Sequence, residues 1–401
     1  MAPSEQELAD FKVEFTNWLN ENKPEEPNFL LPQSFMEVGS DQQFEFLRDW
    51  QQKVYDAGYL GMAWPKEFGG GGVDQAYQDI VTAEMLRQNV PFMINTIGLN
   101  WAGPLILKIG SQEHKQAYIK RILSAEDIWC QGFSEPDNGS DLGNAQTRAV
   151  KDGEDYIVNG SKIWTSLGTY ASYMILLART NVDTNTKYEG LSYFLSPMKV
   201  PGIETQPIKK LTWETGLTQT FFTDARIHES CLIGEEGGGW QVAMTTLTFE
   251  RGASGGQAGG HSSMPNKISE LLDLARISQR GGKPAIEDPL IRDELVDLLI
   301  EDKAAELNAA RAKIPGLLGE YPGSIMLSNK VVRTEMNRRI GKFSYSLQGT
   351  AANYYVGDKA AAVDGRWQRA YFQAFSGTIG GGTTQIQKNI LGERVLRLPK
   401  S

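Results

Sequence analysis

Two short polar turns hold the residues best suited to gripping a prosthetic group. One reads Ser134-Glu135-Pro136-Asp137-Asn138-Gly139-Ser140-Asp141 and the other Trp164-Thr165-Ser166, both within the stretch Cys130–Thr180. Glycine admits close backbone approach, hydroxyls bond reversibly, and an indole offers a broad apolar face. The combination suits a flat, partly polar cofactor laid against a sheet. The plain alternative is a turn-rich β-domain with Trp164 in its core. Metal chemistry is poorly served by three histidines and two cysteines outside any CxxC pair. Cys130 reads as a small buried hydrophobe.

The 401 residues imply two or three domains with a large core. The net charge of −9 disfavours nonspecific binding of nucleic acid or anionic membrane, while local Arg and Lys decide whether an anionic ligand binds. The cysteine usage fits a reducing compartment and the start MAPSEQELADFKVEF is acidic, so a cytoplasmic location is expected. No apolar run is long enough to span a bilayer.

Three parts position the turns. Residues 1–125 read as helical, with Phe11, Phe15, Trp18 and Leu19, then Phe44, Leu47 and Trp50, at helical spacing. A loop at Ala63–Gly72 precedes a helix around Gln75–Gln88. Residues 126–236 read as strands, including Tyr173–Ala178, Leu191–Leu195 and Thr220–Thr223, with a hairpin turn expected at Asn159-Gly160. Residues 237–401 return to helix, most clearly over Leu295–Lys313 and Ser328–Leu347.

This helix–sheet–helix order and the two turns resemble the acyl-CoA dehydrogenase family. Two further segments carry the likeness: Phe222–Ile227 with Leu232–Trp240, and the C-terminal Thr378–Pro399. The resemblance implies an α+β multidomain fold: an N-terminal helical domain, a central β-barrel-like domain and a C-terminal helical bundle. It implies FAD as cofactor and α,β-dehydrogenation of an acyl-CoA thioester. Phe133, Ser134, Gly139 and Ser140 would then line the flavin and the adjacent CoA path, with Ser140 also touching substrate. Trp164, Thr165 and Ser166 would cover the flavin's other side. Thr383 and Gln385 would meet its phosphate and ribose region, and Thr383 or Thr384 is also a natural helix N-cap.

The expected proton acceptor departs from the commoner family pattern. Where many relatives carry a glutamate before the C-terminal Gly-Thr, this chain has Gly381. Another branch carries its base on the helix after the β-domain, where this chain reads Phe249-Glu250-Arg251. Glu250 is therefore the expected base, with Arg251 orienting it or holding the thioester end. The competing fate is a solvated helix carboxylate paired with a neighbour. The family's Arg-x-x-Phe-Gly motif is absent, and Arg280 occupies the comparable region. Gln348–Asn353 likewise replaces a familiar glycine-rich cofactor turn. This style resembles a bacterial branch acting on bulky acyl-CoA esters, including steroid side chains. Glycines 380–382, 252, 255 and 256 would leave room for such a group. An electron-transfer flavoprotein is the implied acceptor, dioxygen the alternative. The resemblance leaves open a homo-dimer or tetramer, a hetero-oligomer with a sister subunit, and an inactive FAD-binding partner role, which Glu250 argues against.

Overall fold

A computed structural model describes residues 3–250, 268–312, 314–319 and 323–399. The chain forms two compact units that divide after residue 263.

The first unit begins with helices α1 (Glu5–Asn22), α2 (Asp41–Asp56), α3 (Gln75–Arg87), α4 (Gly103–Ile109) and α5 (Gln112–Leu123). α1 starts at a reciprocal cap: Ser4 Oγ accepts the Glu7 amide while the Glu7 carboxylate accepts the Ser4 amide. Its apolar stripe then buries Phe15 and Leu19 against Trp50, Val54 and Tyr59 of the common core. The helix expected at Gln75–Gln88 is α3.

Seven strands follow: β1 (Trp129–Gly132), β2 (Arg148–Asp152), β3 (Asp155–Ser166), β4 (Tyr173–Arg179), β5 (Leu191–Pro197), β6 (Ile203–Ile208) and β7 (Leu217–His228). They build one curled sheet in the order β1-β4-β2-β3-β7-β6, with β5 paired to β4. Alternation along the strands sends Trp129, Phe133, Ile175, Leu177, Tyr193 and Leu195 into the core shared with the helices. Cys130, Met174, Leu176, Ala178 and Phe194 face a second core, inside the sheet. β4 is apolar on both faces, which explains its unbroken Met-Ile-Leu-Leu-Ala run.

Asn95 docks the helices onto the sheet. Fully buried, it donates through Nδ2 to the carbonyls of Ile122 and Asp127 and accepts the Trp129 amide at 3.0 Å. Every hydrogen-bonding atom of the amide is used, and the end of α5 is thereby fixed to the start of β1.

The expected hairpin at Asn159-Gly160 is not a turn. β3 runs through it, and the β2–β3 turn falls at Gly153 with φ 65°. Asn159 spends its side chain across the sheet, donating to Asp224 Oδ1 at 3.0 Å and accepting the Asp224 amide at 2.9 Å. Gly160 (φ 142°) lies in a register shift against β7, where a Cβ would come within 2.8 Å of Thr147. The dipeptide therefore makes a bulge, the other common use of Gly inside a strand. Beyond β7, helix α6 (Gly239–Thr248) packs on β5, with Gly239 against the Ser192 backbone.

The second unit contains α7 (Ile268–Ile277), the short hairpin β8 (Gln279–Arg280) and β9 (Lys283–Pro284), α8 (Pro289–Arg311), α9 (Gly323–Gln348), α10 (Arg366–Gly377) and α11 (Thr384–Ile390). Leu295, Leu298, Met336, Ile340, Phe343 and Trp367 form its core.

Candidate active site

The first polar turn is built around a buried ion pair that the sequence reading missed. Lys162 is fully buried and donates to Glu135 Oε1 at 2.7 Å and to the Phe133 carbonyl at 3.1 Å. Glu135 also accepts the amides of Gln146 and Thr147 at 2.6 and 2.9 Å. Burial opposes the carboxylate, but the Lys162 charge and these donors outweigh it and hold Glu135 below its ordinary pKa. Burial lowers the Lys162 pKa even with Glu135 beside it. The turn is closed by Glu135 and Asn138 exchanging backbone hydrogen bonds and is tied to β3 by the Ile163 amide on the Ser134 carbonyl, 2.9 Å. Lys162 thus anchors both turns, standing two residues before Trp164. Arg179 braces the next loops by donating to the carbonyls of Gly143, Ala145, Lys187 and Glu189.

Phe133 is buried, Ser134 half-buried, and Gly139 and Ser140 exposed. A Cβ on Gly139 would meet nothing within 4 Å, so the turn leaves open space there.

The second turn arises from a bulge. The β3–β7 register shifts between Lys162 and Thr165, and Trp164 adopts φ 62°, a strained conformation for a bulky residue. Its side chain is 55% exposed while Thr165 and Ser166 are buried. The alternative of Trp164 as core is thereby overturned. Thr218 Oγ1 donates to the Thr165 carbonyl at 3.2 Å and steadies the turn. Cys130 is fully buried, and burial raises its thiol pKa, as expected of an inert packing residue.

Gln131 is a second residue the motifs did not disclose. It lies two residues before Phe133, in register with Ile175, on the same sheet face as both. Its Nε2 is buried without a hydrogen-bond partner. Buried amide donors are rarely left unpaired, so this one is open to an acceptor. An exposed indole, an open glycine turn and an orphaned donor fit an isoalloxazine, which presents a flat apolar face and a polar edge.

Glu250 is half-buried where the last residues after α6, Phe249 and Glu250, widen into a π-turn. Arg251 and glycines 252, 255 and 256 lie outside the described residues. In the second unit, Thr383 caps α11 by accepting the Ile386 amide at 3.1 Å, and Gln385 is exposed. Gly381 and Gly382 have φ 64° and 86°, so these two glycines are required by the backbone rather than by the room they leave. Arg280 pairs with Asp288 at 2.9 Å, which commits it locally and counts against its standing in for the missing Arg-x-x-Phe-Gly motif.

Three sequence families match in order: the acyl-CoA dehydrogenase N-terminal domain over residues 34–126, the middle domain over 130–225 and the C-terminal domain over 237–396. The chain belongs to the acyl-CoA dehydrogenase family. This acyl-CoA dehydrogenase is 34% identical over 399 residues to the acyl-CoA dehydrogenase IpdE1 of Mycobacterium tuberculosis, covering 98% of this chain and 99% of that protein. Among solved structures it is similar to the Tcur3481-Tcur3483 steroid ACAD, with TM-score 0.79, 27% identity and coverage of 100% and 99%. It is also similar to the ChsE4-ChsE5 complex from Mycobacterium tuberculosis, with TM-score 0.78, 26% identity and full coverage of both chains. The family is one of FAD-dependent oxidoreductases.

Among the described residues no helix is long and apolar enough to cross a membrane, and no cluster of metal-ligating side chains occurs.

Proposed function

We propose that this acyl-CoA dehydrogenase converts a bulky or branched acyl-CoA to its trans-2-enoyl-CoA, with Glu250 as the base. The supporting observation is the placement of Glu250. It is half-buried, and it belongs to the unit that also holds both polar turns, whereas Gly381 has no side chain to take a proton. Glu250 takes the proton from the substrate's α carbon, and the electron pair left behind becomes the new C=C bond as hydride leaves the β carbon. Bound FAD supplies the hydride acceptor at N5. Phe133, Ser134, Gly139, Ser140, Trp164, Thr165 and Ser166 orient the flavin and exclude water, with Thr383 and Gln385 at its phosphate and ribose end. Ser140 and Arg251 contact the CoA ester.

The bulky acyl group is supported by the likeness to proteins described as steroid acyl-CoA dehydrogenases. An electron-transfer flavoprotein takes up the electrons in the cytoplasm. The active assembly is oligomeric, either a homo-dimer or tetramer or a pairing with a sister subunit. Val296, Leu299, Ile300 and Leu307 support this: about half exposed or more, they leave a helical stripe of α8 apolar and uncovered in the single chain.

The test is anaerobic mixing with butyryl-, isobutyryl-, cyclohexylpropanoyl- and steroid-ring-bearing acyl-CoAs. Wild type bleaches its flavin fastest with a branched or ring-bearing ester. Glu250→Gln keeps the oxidised spectrum and still binds ligand, because an amide cannot accept the proton near neutral pH. Loss of a general base typically slows a reaction about 10² to 10⁴-fold. Wild-type bleaching by Glu250→Gln would remove Glu250 from the mechanism. Faster turnover of butyryl-CoA than of the larger esters would remove the bulky-substrate reading.

A further inference from the structure

A polar contact not used so far links β5, α6 and the first polar turn. Tyr193 of β5 is fully buried, and its ring meets Phe133 edge-on with centroids 5.8 Å apart. A buried phenol needs a hydrogen-bond partner. Tyr193 finds it in Thr246 of α6, with the two hydroxyl oxygens 2.9 Å apart. Thr246 Oγ1 also donates to the Val242 carbonyl at 3.1 Å. Since threonine carries one hydroxyl proton, that bond fixes the direction of the other: Tyr193 donates and Thr246 accepts.

Thr246 stands four residues before Glu250, and residues four apart on a helix share a face. The π-turn at Phe249 and Glu250 loosens the winding at that point. Burial raises the Tyr193 pKa and the nearby Glu250 charge raises it further, so the phenol stays protonated and the two side chains feel one another.

We propose that Tyr193 and Thr246 are positioning residues that hold the last turn of this helix so that Glu250 faces the flavin-side turn at Phe133. The proposal rests on Glu250 being the base. Neither residue touches the reacting atoms. Tyr193 reaches Phe133 with its ring and α6 with its hydroxyl, so it sets the spacing between the hydride side and the proton side of the reaction.

The experiment is anaerobic flavin bleaching by the best ester of the same panel, with and without deuterium on the α carbon. Tyr193→Phe removes one oxygen and keeps the ring, and Thr246→Val removes the acceptor at nearly constant shape. Each lowers the bleaching rate about fivefold, the factor one typical net hydrogen bond is worth. The α-deuterium isotope effect rises, while KM and the FAD dissociation constant change less than twofold. The double variant is no slower than either single one, because both break the same bond. Thr246→Ser, which keeps the hydroxyl, recovers most of the rate. A Tyr193→Phe enzyme at the wild-type rate overturns the proposal, as do additive losses or a loss explained by poorer FAD binding. Glu250→Gln at the wild-type rate is a different failure, because it overturns the base assignment on which the pair depends.

Discussion

Replacing Lys162 by methionine should destabilise the first unit in a pH-dependent way that identifies the cause. The substitution keeps the length and apolar stem of the side chain but removes the charge facing Glu135. Glu135 is only 5% exposed and retains two amide donors after the change. Leaving one partner of a buried pair typically costs about 3–5 kcal/mol. The carboxyl can escape part of that cost by taking up a proton. From an unfolded pKa of about 4.3, protonation at pH 7 costs roughly 3.7 kcal/mol, at about 1.36 per pH unit. The electrostatic loss therefore saturates near 4 kcal/mol at pH 7 and falls to about 1 kcal/mol at pH 5. The Phe133 carbonyl also loses its donor, adding about 1 kcal/mol at either pH. The sign follows from the variant's Glu135 pKa, which is raised above the unfolded value. Relative to wild type, stability is then recovered as the pH falls and lost as it rises through that raised pKa. Urea unfolding of the full chain at pH 7 and pH 5 measures this. Equal losses at the two pH values, or a loss under about 1 kcal/mol at pH 7, would refute an ionised buried pair.

Two other predictions concern the turn and the assembly. Trp164→Ala should weaken FAD binding about 3- to 10-fold, the worth of one aromatic contact, and leave the unfolding midpoint nearly unchanged because the indole is 55% exposed. Fluorescence titration of the apoprotein with FAD checks it, and an unchanged dissociation constant would place the flavin elsewhere. Light scattering should show a dimer or larger assembly, and Ile300→Asp on the exposed face of α8 should shift it toward monomer without unfolding it. A wild-type monomer saturated with FAD would contradict the association.

The elements with strong local signals were legible. The apolar spacing of α1 and α2 and the doubly apolar run of β4 are each decided by neighbouring residues. What failed depended on distant partners. Asn159-Gly160 looks like a hairpin turn, but Asp224 across the sheet captures the asparagine and turns the pair into a bulge. Nothing near Glu135 announces Lys162, because that pairing exists only once β3 lies under the turn. Gln131 belongs to no recognisable motif, and only the burial of its amide reveals it. Thr383 as a cap was readable because residue type and spacing coincide. The exposure of Trp164 was not, since it follows from a register shift rather than from its neighbours in sequence.

The division of the chain after residue 263 gives the choice of base position a mechanical meaning. Gly381 belongs to the second unit, while Glu250 belongs to the first, together with Phe133, Lys162 and Trp164. With Glu250 as the proposed base, the proton acceptor would belong to the same unit as the two polar turns. On that proposal the destinations of proton and hydride would be set from a common frame. The proposed proton acceptor and the turns proposed to face the flavin thus fall to the first unit, while Thr383 and Gln385 of the second would serve the cofactor's phosphate end.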